Sequence, residues 1–283
     1  MLKLHLSFPC LGLALGLLLG FQASADSHNL PPLIVAVVPQ LSPLALHKAW
    51  TPILQKLSEQ TGLVFDLNIQ QSIPDFEASL SNGTPDLAFM NPYHQLVAKK
   101  QQGYIPLIRD TKQMLTGILV VRKDSEVNAL NDLNGKNLAF PAPNAFAASL
   151  LIRALLAENQ VKSDPFYLKT HSNVYRAVLM GDVAAGGGVN NTFQREPDDI
   201  KDQLRVLYVT PEFAAHPLSA HPRVSEEIRN KIISGLIRLS QMPENAELFN
   251  AIQIPKPVDA NYARDYQPLE RLGLEKFAVS GSD

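Results

Sequence analysis

Apolar and polar positions along the chain switch repeatedly between a strand period and a helix period. Residues 33–38 (LIVAVV) form an unbroken apolar run of strand length, the pattern of a strand covered on both faces, and Pro39 ends it. From Leu44 to Gln60 the period becomes helical. Ala49, Ile53 and Leu57 fall on one face with Trp50 and Leu54, which predicts a core position for Trp50, and Gly62 follows the end. Phe65, Leu67 and Ile69 then alternate with Asp66 and Asn68, so that strand is half exposed. Ser72 is placed to cap a short helix carrying Phe76 and Leu80 that stops near Gly83. Residues 87–90 read as a strand, and Asn91-Pro92 pairs a capping residue with proline at the first helical position, opening a helix over 93–101. Residues 105–108 and 116–121 read as strands.

The second half repeats this logic. Residues 137–140 (NLAF) are a strand, Pro141-Ala142-Pro143-Asn144 breaks it, and a helix is predicted from about Asn144 to Asn159. Residues 166–169 are strand-like. Val174, Ala177, Val178 and Gly181 share a face of a helix after Thr170-His171-Ser172. A short small-residue strand over 183–186 runs into Gly186-Gly187-Gly188, which lets a backbone pass close to a neighbour. Residues 205–209 form a strand, and 225–240 a helix with Ile228, Ile232, Leu236 and Leu239 inward. Alternation of this kind predicts an α/β fold with mostly parallel sheets, whose ligands gather at loops after strand C-termini.

The N-terminus adds a destination. Lys3 precedes an apolar stretch over 11–21 that is too short for a comfortable membrane span, and Ala23-Ser24-Ala25 is an A-x-A cleavage pattern. Residues 1–25 therefore read as a cleaved signal peptide, with a mature soluble chain starting at Asp26 in a bacterial periplasm. The single cysteine, Cys10, lies inside that leader, so the mature chain has no disulfide, thiol nucleophile or cysteine metal ligand. The formal charge of −2, with no basic stripe, argues against nucleic acid as a partner.

Candidate chemistry sits at the predicted strand ends: Gln40 and Ser42 after the first, Asn91 and Tyr93 after the third, then Asn144 to Ala147, His171, Asn190-Asn191-Thr192, and His216-Pro217. These groups are polar, with few charges. No HExxH, G-x-S-x-G or Walker A pattern is present, and none of the seven histidines is paired at i, i+4 spacing. No nucleophile–base pair, cofactor motif or metal cluster emerges, so the expectation is a binding protein without cofactor or catalysis. The strand–loop–helix over 137–157 suits an anion, because the first amides of a helix lack partners and carry partial positive charge. The same geometry also serves an ordinary βα connection.

Several ordered motifs carry a resemblance: Trp50-Thr51-Pro52-x-Leu54; Pro85-Asp86-Leu87-Ala88; residues 117–121 with Lys123-Asp124-Ser125; residues 130–136 (LNDLNGK); Pro143-Asn144; His171; and Asn190-Asn191-Thr192. Together they resemble the periplasmic solute-binding proteins of phosphonate/phosphite/phosphate ABC importers, within the type II, transferrin-like periplasmic binding fold. The resemblance implies two α/β lobes with a ligand cleft between them. It implies lobe 1 over 26–116 plus 213–283 and lobe 2 over 117–212. It further implies capture of a small oxyanion for delivery to a permease, with a membrane sensor or a different small polar ligand as alternatives, and a monomer.

The substrate-binding positions implied are Ser42, Met90, Asn91, Tyr93, Asn144, Ala145, Phe146, Ala147, His171 and Asn191. Met90 stands where the family often has an aromatic residue. Phe193 replaces the acidic residue that can follow Asn-Asn-Thr. Ala145-Phe146-Ala147-Ala148 stands where phosphonate binders carry a Ser-Thr-Ser-Gly type loop, so three hydroxyl donors are missing while the backbone amides remain. Asn144 is open to reading as helix cap or ligand contact, and Phe146 as core or stacking platform.

Overall fold

The computed structural model describes residues 31–279 together with the first two; the signal peptide expected over 1–25 otherwise lies outside the described residues. Two sheets organise the chain. The first uses β1 (Leu33–Val37), β2 (Phe65–Asn68), β3 (Leu87–Phe89), β4 (Ile105–Asp110), β10 (Leu218–Ala220) and β11 (Pro257–Asp259), in the order β11-β4-β10-β3-β1-β2. The second uses β5 (Gly117–Arg122), β6 (Lys136–Phe140), β7 (Ser163–Tyr167), β8 (Ala185–Val189) and β9 (Leu204–Val209), in the order β7-β6-β8-β5-β9.

Both sheets are mixed, where the alternating pattern predicted mostly parallel ones. β1 with β2 and β3, and β6 with β7 and β8, are parallel, as helical crossovers require. β10, β11, β5 and β9 pair antiparallel. The cause is the chain path: it leaves the first sheet after β4, fills the second, and returns as β10 running against its neighbours. β7 carries Pro165 and sits at an edge, where a missing ladder donor is tolerated.

The two crossing segments, β4 to β5 and β9 to β10, touch each other. Leu115 and Phe213 exchange both backbone hydrogen bonds at 2.9 Å, an isolated antiparallel bridge. Beside it, the Gly117 amide donates to the Thr210 hydroxyl at 2.8 Å, and the Gly117 carbonyl accepts from the Thr210 amide at 2.9 Å. A side chain at Gly117 would meet the Ala147 carbonyl oxygen at 2.2 Å.

Helices cover the sheets. The first-sheet set is α1 (Pro43–Thr61), α2 (Ile73–Ser81), α3 (Pro92–Gln102), α8 (Glu226–Ser240), α9 (Ala246–Ala251) and α10 (Tyr262–Asp265); the second-sheet set is α4 (Leu151–Glu158), α5 (His171–Met180), α6 (Asn190–Gln194) and α7 (Asp198–Lys201). Trp50 is buried on α1, with its ring 5.1 Å from Phe89 at the end of β3. One apolar cluster runs from the first sheet through Ala145, Phe146, Ala147, Ala148 and Val189, which belong to the second-sheet side. Hydrophobic burial therefore contributes to holding the two halves together, as well as to each half alone.

Candidate functional site

Three elements of the second half and three loops of the first converge between the sheets. The chain leaves β6 through Pro141 and Pro143 and winds into a π-helix over Phe146–Leu150, continuous with α4. Here the helix predicted to start at Asn144 differs. The Ala145 carbonyl accepts from both Ser149 (2.8 Å) and Leu150 (3.1 Å), and Phe146 accepts from Leu151, so the first turn is one residue wider than an α-turn. The amides of Phe146, Ala147 and Ala148 come before the first amide with an acceptor inside the helix, and the helix dipole adds to their positive character.

These three residues and Ala145 line a cavity of about 10 Å³ with Val38, Gln40, Ile73, Asn91, His171, Val189 and His216. That is about the room of one water. His171 is the first residue of α5, whose cap is Thr170: the Thr170 hydroxyl accepts from the Asn173 amide at 3.2 Å. His171 is 1% exposed, and its Nδ1 has no partner among the described residues. Burial pulls the His171 imidazole down to about 4.

His216 comes from the other half, on the crossing segment before β10. It stacks on Phe89 at 5.5 Å. Burial, helped by nearby His94 and His171, pulls it down to about 3. Gln253 donates its amide to Gln40 Oε1 at 3.2 Å, and Gln40 lies with its Nε2 3.1 Å from His216 Nε2. With both amides in this orientation, Gln40 donates to His216 Nε2, and the His216 proton resides on Nδ1.

The glycines of β8 make this closeness possible. A Cβ at Gly187 would meet the Ala148 carbonyl oxygen at 2.0 Å and the Phe140 ring at 2.6 Å. A Cβ at Gly188 would meet the Tyr175 hydroxyl at 2.2 Å. Without side chains there, the π-helix and α5 seat directly on the strand. Tyr175 then donates or accepts with Thr192 at 2.9 Å, fixing the start of α6.

Among the other positions taken from the sequence, Phe146 and Asn91 also line this cavity, while Asn144, Tyr93, Ser42, Met90 and Asn191 lie elsewhere. Phe146 is 1% exposed and meets Phe213 edge-on at 5.3 Å, so its ring packs across the crossing segment. Asn144 does not cap the helix. Its amide donates to Glu77 Oε2 (3.0 Å) and the Val279 carbonyl (2.8 Å), and its Oδ1 accepts from the Val279 amide (2.9 Å). With Tyr93 it lines a separate, larger chamber of about 710 Å³ that includes Glu77, His94, Lys100 and Glu275. Ser42 caps α1, its hydroxyl accepting from Ala45 at 3.4 Å. Met90 is fully buried. Asn91 caps α3, accepting from the His94 amide at 2.7 Å, and donates to the Asn144 carbonyl at 3.4 Å. Asn191 lies on a third hollow with Asp110, Gln113 and Arg195.

Gln40 and His216 join the inner cavity although neither was among the binding positions inferred from sequence. Both were visible as polar residues at strand ends; only tertiary structure brings together residues 176 apart.

This architecture has known counterparts. The phosphate-import protein PhnD of Mycolicibacterium smegmatis is 23% identical over 233 residues, covering 74% of this chain and 72% of the relative. The structure of PhnD1 from Prochlorococcus marinus, in complex with methylphosphonate, superposes with a TM-score of 0.78 at 17% identity, covering 87% of this chain and 98% of that one. A binding protein component of an ABC phosphonate transporter from Pseudomonas aeruginosa gives a TM-score of 0.78 at 18% identity, with 87% and 86% covered. These likenesses establish the type II periplasmic binding fold. Residues 35–266 match the family model described as ABC transporter, phosphonate, periplasmic substrate-binding protein, and the chain belongs to that family.

Proposed function

We propose that this solute-binding protein captures a small oxyanion of the phosphonate, phosphite or phosphate class in the inner cavity and presents it to the permease of an ABC importer. The observation that carries the reading is convergence: three helix-start amides and His171 from one half meet Gln40 and His216 from the other across a single cavity. Amides at a helix start favour an anion, and neutral imidazoles can donate to its oxygens.

The lobes of this reading are 26–116 plus 213–283 and 117–212, hinged at the Leu115–Phe213 bridge. A cavity of about 10 Å³ cannot admit such a ligand without the lobes moving apart, so binding is coupled to rotation about the two crossing segments. The chain acts as a monomer in the periplasm after loss of residues 1–25. Hydroxyl donors absent from Ala145 to Ala148 are replaced in this reading by the imidazoles and the Gln40 amide.

The test is a thermal-shift screen of the exported protein with methylphosphonate, phosphite, phosphate and methanesulfonate. A true ligand raises Tm in a concentration-dependent way, because it binds the folded chain and not the unfolded one. A shift with at least one phosphorus oxyanion is expected. A flat response to all of them, with a shift for an uncharged or cationic solute, would overturn the ligand class.

A further inference from the structure

We propose that the inner cavity selects oxyanions in their singly charged, protonated form and discriminates against dianions, because its wall supplies neutral donors and no full positive charge. This inference rests on the oxyanion reading above and sharpens it.

The wall is made of apolar side chains, two side-chain amides, two imidazoles and the backbone of the π-helix; among the described residues no lysine or arginine lines the cavity. The fixed positive character comes from the helix start, equivalent to about half an elementary charge. That is enough to favour one negative charge and too little to offset two in a site shielded from water. Burial keeps both imidazoles neutral at neutral pH. They can each donate one proton in a hydrogen bond, but they add no charge. The Gln253–Gln40–His216 chain holds the second imidazole in a tautomer whose remaining donor is Nδ1–H.

The ionisable groups packed around these rings have partners of their own, although the buried Nδ1 of His94 has none among the described residues. On α2 and α3, Glu77 Oε1 lies 2.9 Å from His94 Nε2, and its other oxygen accepts from Asn144. Glu77 is thus held by His94 and Asn144 behind the Asn91–Asn144 contact. On the α5 side, Glu196 accepts from the Ser172 hydroxyl, and the Tyr175 hydroxyl is bonded to Thr192. The nearby guanidiniums are turned away: Arg153 donates to the Pro143 and Phe277 carbonyls and to Ser149, and Arg195 to the carbonyls of Asn250 and Ala251.

The unpartnered, buried Nδ1 of His171 fits the same ligand. A neutral imidazole has one donor and one acceptor nitrogen. A monoprotonated phosphonate offers both an acceptor oxygen and an O–H, so it can satisfy an imidazole at either nitrogen; a dianion can only accept.

The experiment is calorimetric titration of the full exported chain with methylphosphonate, phosphite and phosphate from about pH 6 to about pH 9, joined to ³¹P NMR of the bound ligand. For each ligand that binds, the expected Kd weakens about tenfold per pH unit above that ligand's own second ionisation, and the bound ³¹P shift stays at the monoanion value at the alkaline end. A Kd that is flat or tightens with pH, or a bound shift typical of the dianion, overturns the inference while leaving the oxyanion reading standing. Failure of all three ligands to bind at any pH overturns both. Gln40→Lys adds an ammonium to the wall and should flatten the pH slope; a slope that survives in a folded variant contradicts the charge argument. If that variant does not fold, the ³¹P shift on the unaltered protein still decides the matter.

Discussion

The inner cavity and the outer chamber lie on either side of the Asn91–Asn144 contact, and they differ in size, charge and construction. The inner one has about 10 Å³, walls from both sheets and, among the described residues, no carboxylate or cationic side chain. The outer one has about 710 Å³, is built largely from α2, α3 and the segment after Gly273, and carries Glu77, Glu275 and Lys100. The same two turns of sequence feed both. Asn91 faces inward and Tyr93 outward from the start of α3; Ala145 to Ala147 face inward and Asn144 outward from the start of the π-helix. Successive side chains at a helix start diverge by about 100°, so an offset of one or two residues moves a group from a neutral, enclosed wall to an acidic, open one. Size alone would point to the outer chamber as the site. Enclosure, convergence from two lobes and unpartnered donors point to the inner one.

The largest expected effect that separates the two regions is steric. Gly187→Ala drives a methyl into the Ala148 carbonyl and the Phe140 ring. It should cost about 3 kcal/mol by urea unfolding, at the upper end of overpacking effects, because a backbone oxygen cannot rotate away. A loss under about 0.5 kcal/mol would mean that the π-helix is not seated on β8 as described.

The next effect is acid sensitivity. His171 and His216 both have native values below the ordinary 6.5 of the unfolded chain. Between 6.5 and about 4 the unfolded chain therefore binds more protons than the native one. Stability from neutral burial is intact above that window and is lost as pH falls through it, by at most about 1.4 kcal/mol per pH unit for each imidazole. His216→Gln should reduce the slope measured by denaturation at stepped pH. An unchanged slope would show that His216 does not contribute to it.

The smallest effect belongs to the outer chamber. Tyr93→Phe removes a phenol whose pKa is raised by burial and by Glu275 and Glu77, but which bonds nothing in the inner wall. Calorimetry should find ligand affinity changed by less than about 0.5 kcal/mol. A loss of several-fold more would transfer the ligand to the outer chamber.

Local signals carried much of this architecture. Pro43 after Ser42, and Gly62 with φ of 70°, bound α1 as capping chemistry requires, and the apolar stripe of that helix buries Trp50, Ile53 and Leu57. The Gly186-Gly187-Gly188 run announced a close approach, and the structure identifies what approaches: the Ala148 carbonyl, the Phe140 ring and the Tyr175 ring. The π-helix was not legible, because Ala and Leu sequences favour any helical turn and nothing local distinguishes a bond at i+5 from one at i+4. The role of Asn144 was hidden for another reason. Its partners, Glu77 and Val279, are 67 and 135 residues away, and Asn as a cap and Asn as a tertiary donor look identical in sequence. The three-residue strand β10, covered on both faces, gives no periodic signal long enough to reveal its antiparallel insertion.

The most direct test of where the ligand sits is an amide NMR titration of the isotope-labelled protein with methylphosphonate, phosphite or phosphate, whichever stabilises the fold. If the oxyanion is held at the start of the π-helix between the lobes, the amide protons of Phe146, Ala147 and Ala148 should move strongly downfield at saturation. Tyr93 and Glu275 should report only small changes from lobe movement. Downfield shifts confined to the outer chamber, with Phe146 to Ala148 unmoved, would contradict the assignment of the inner cavity as the capture site.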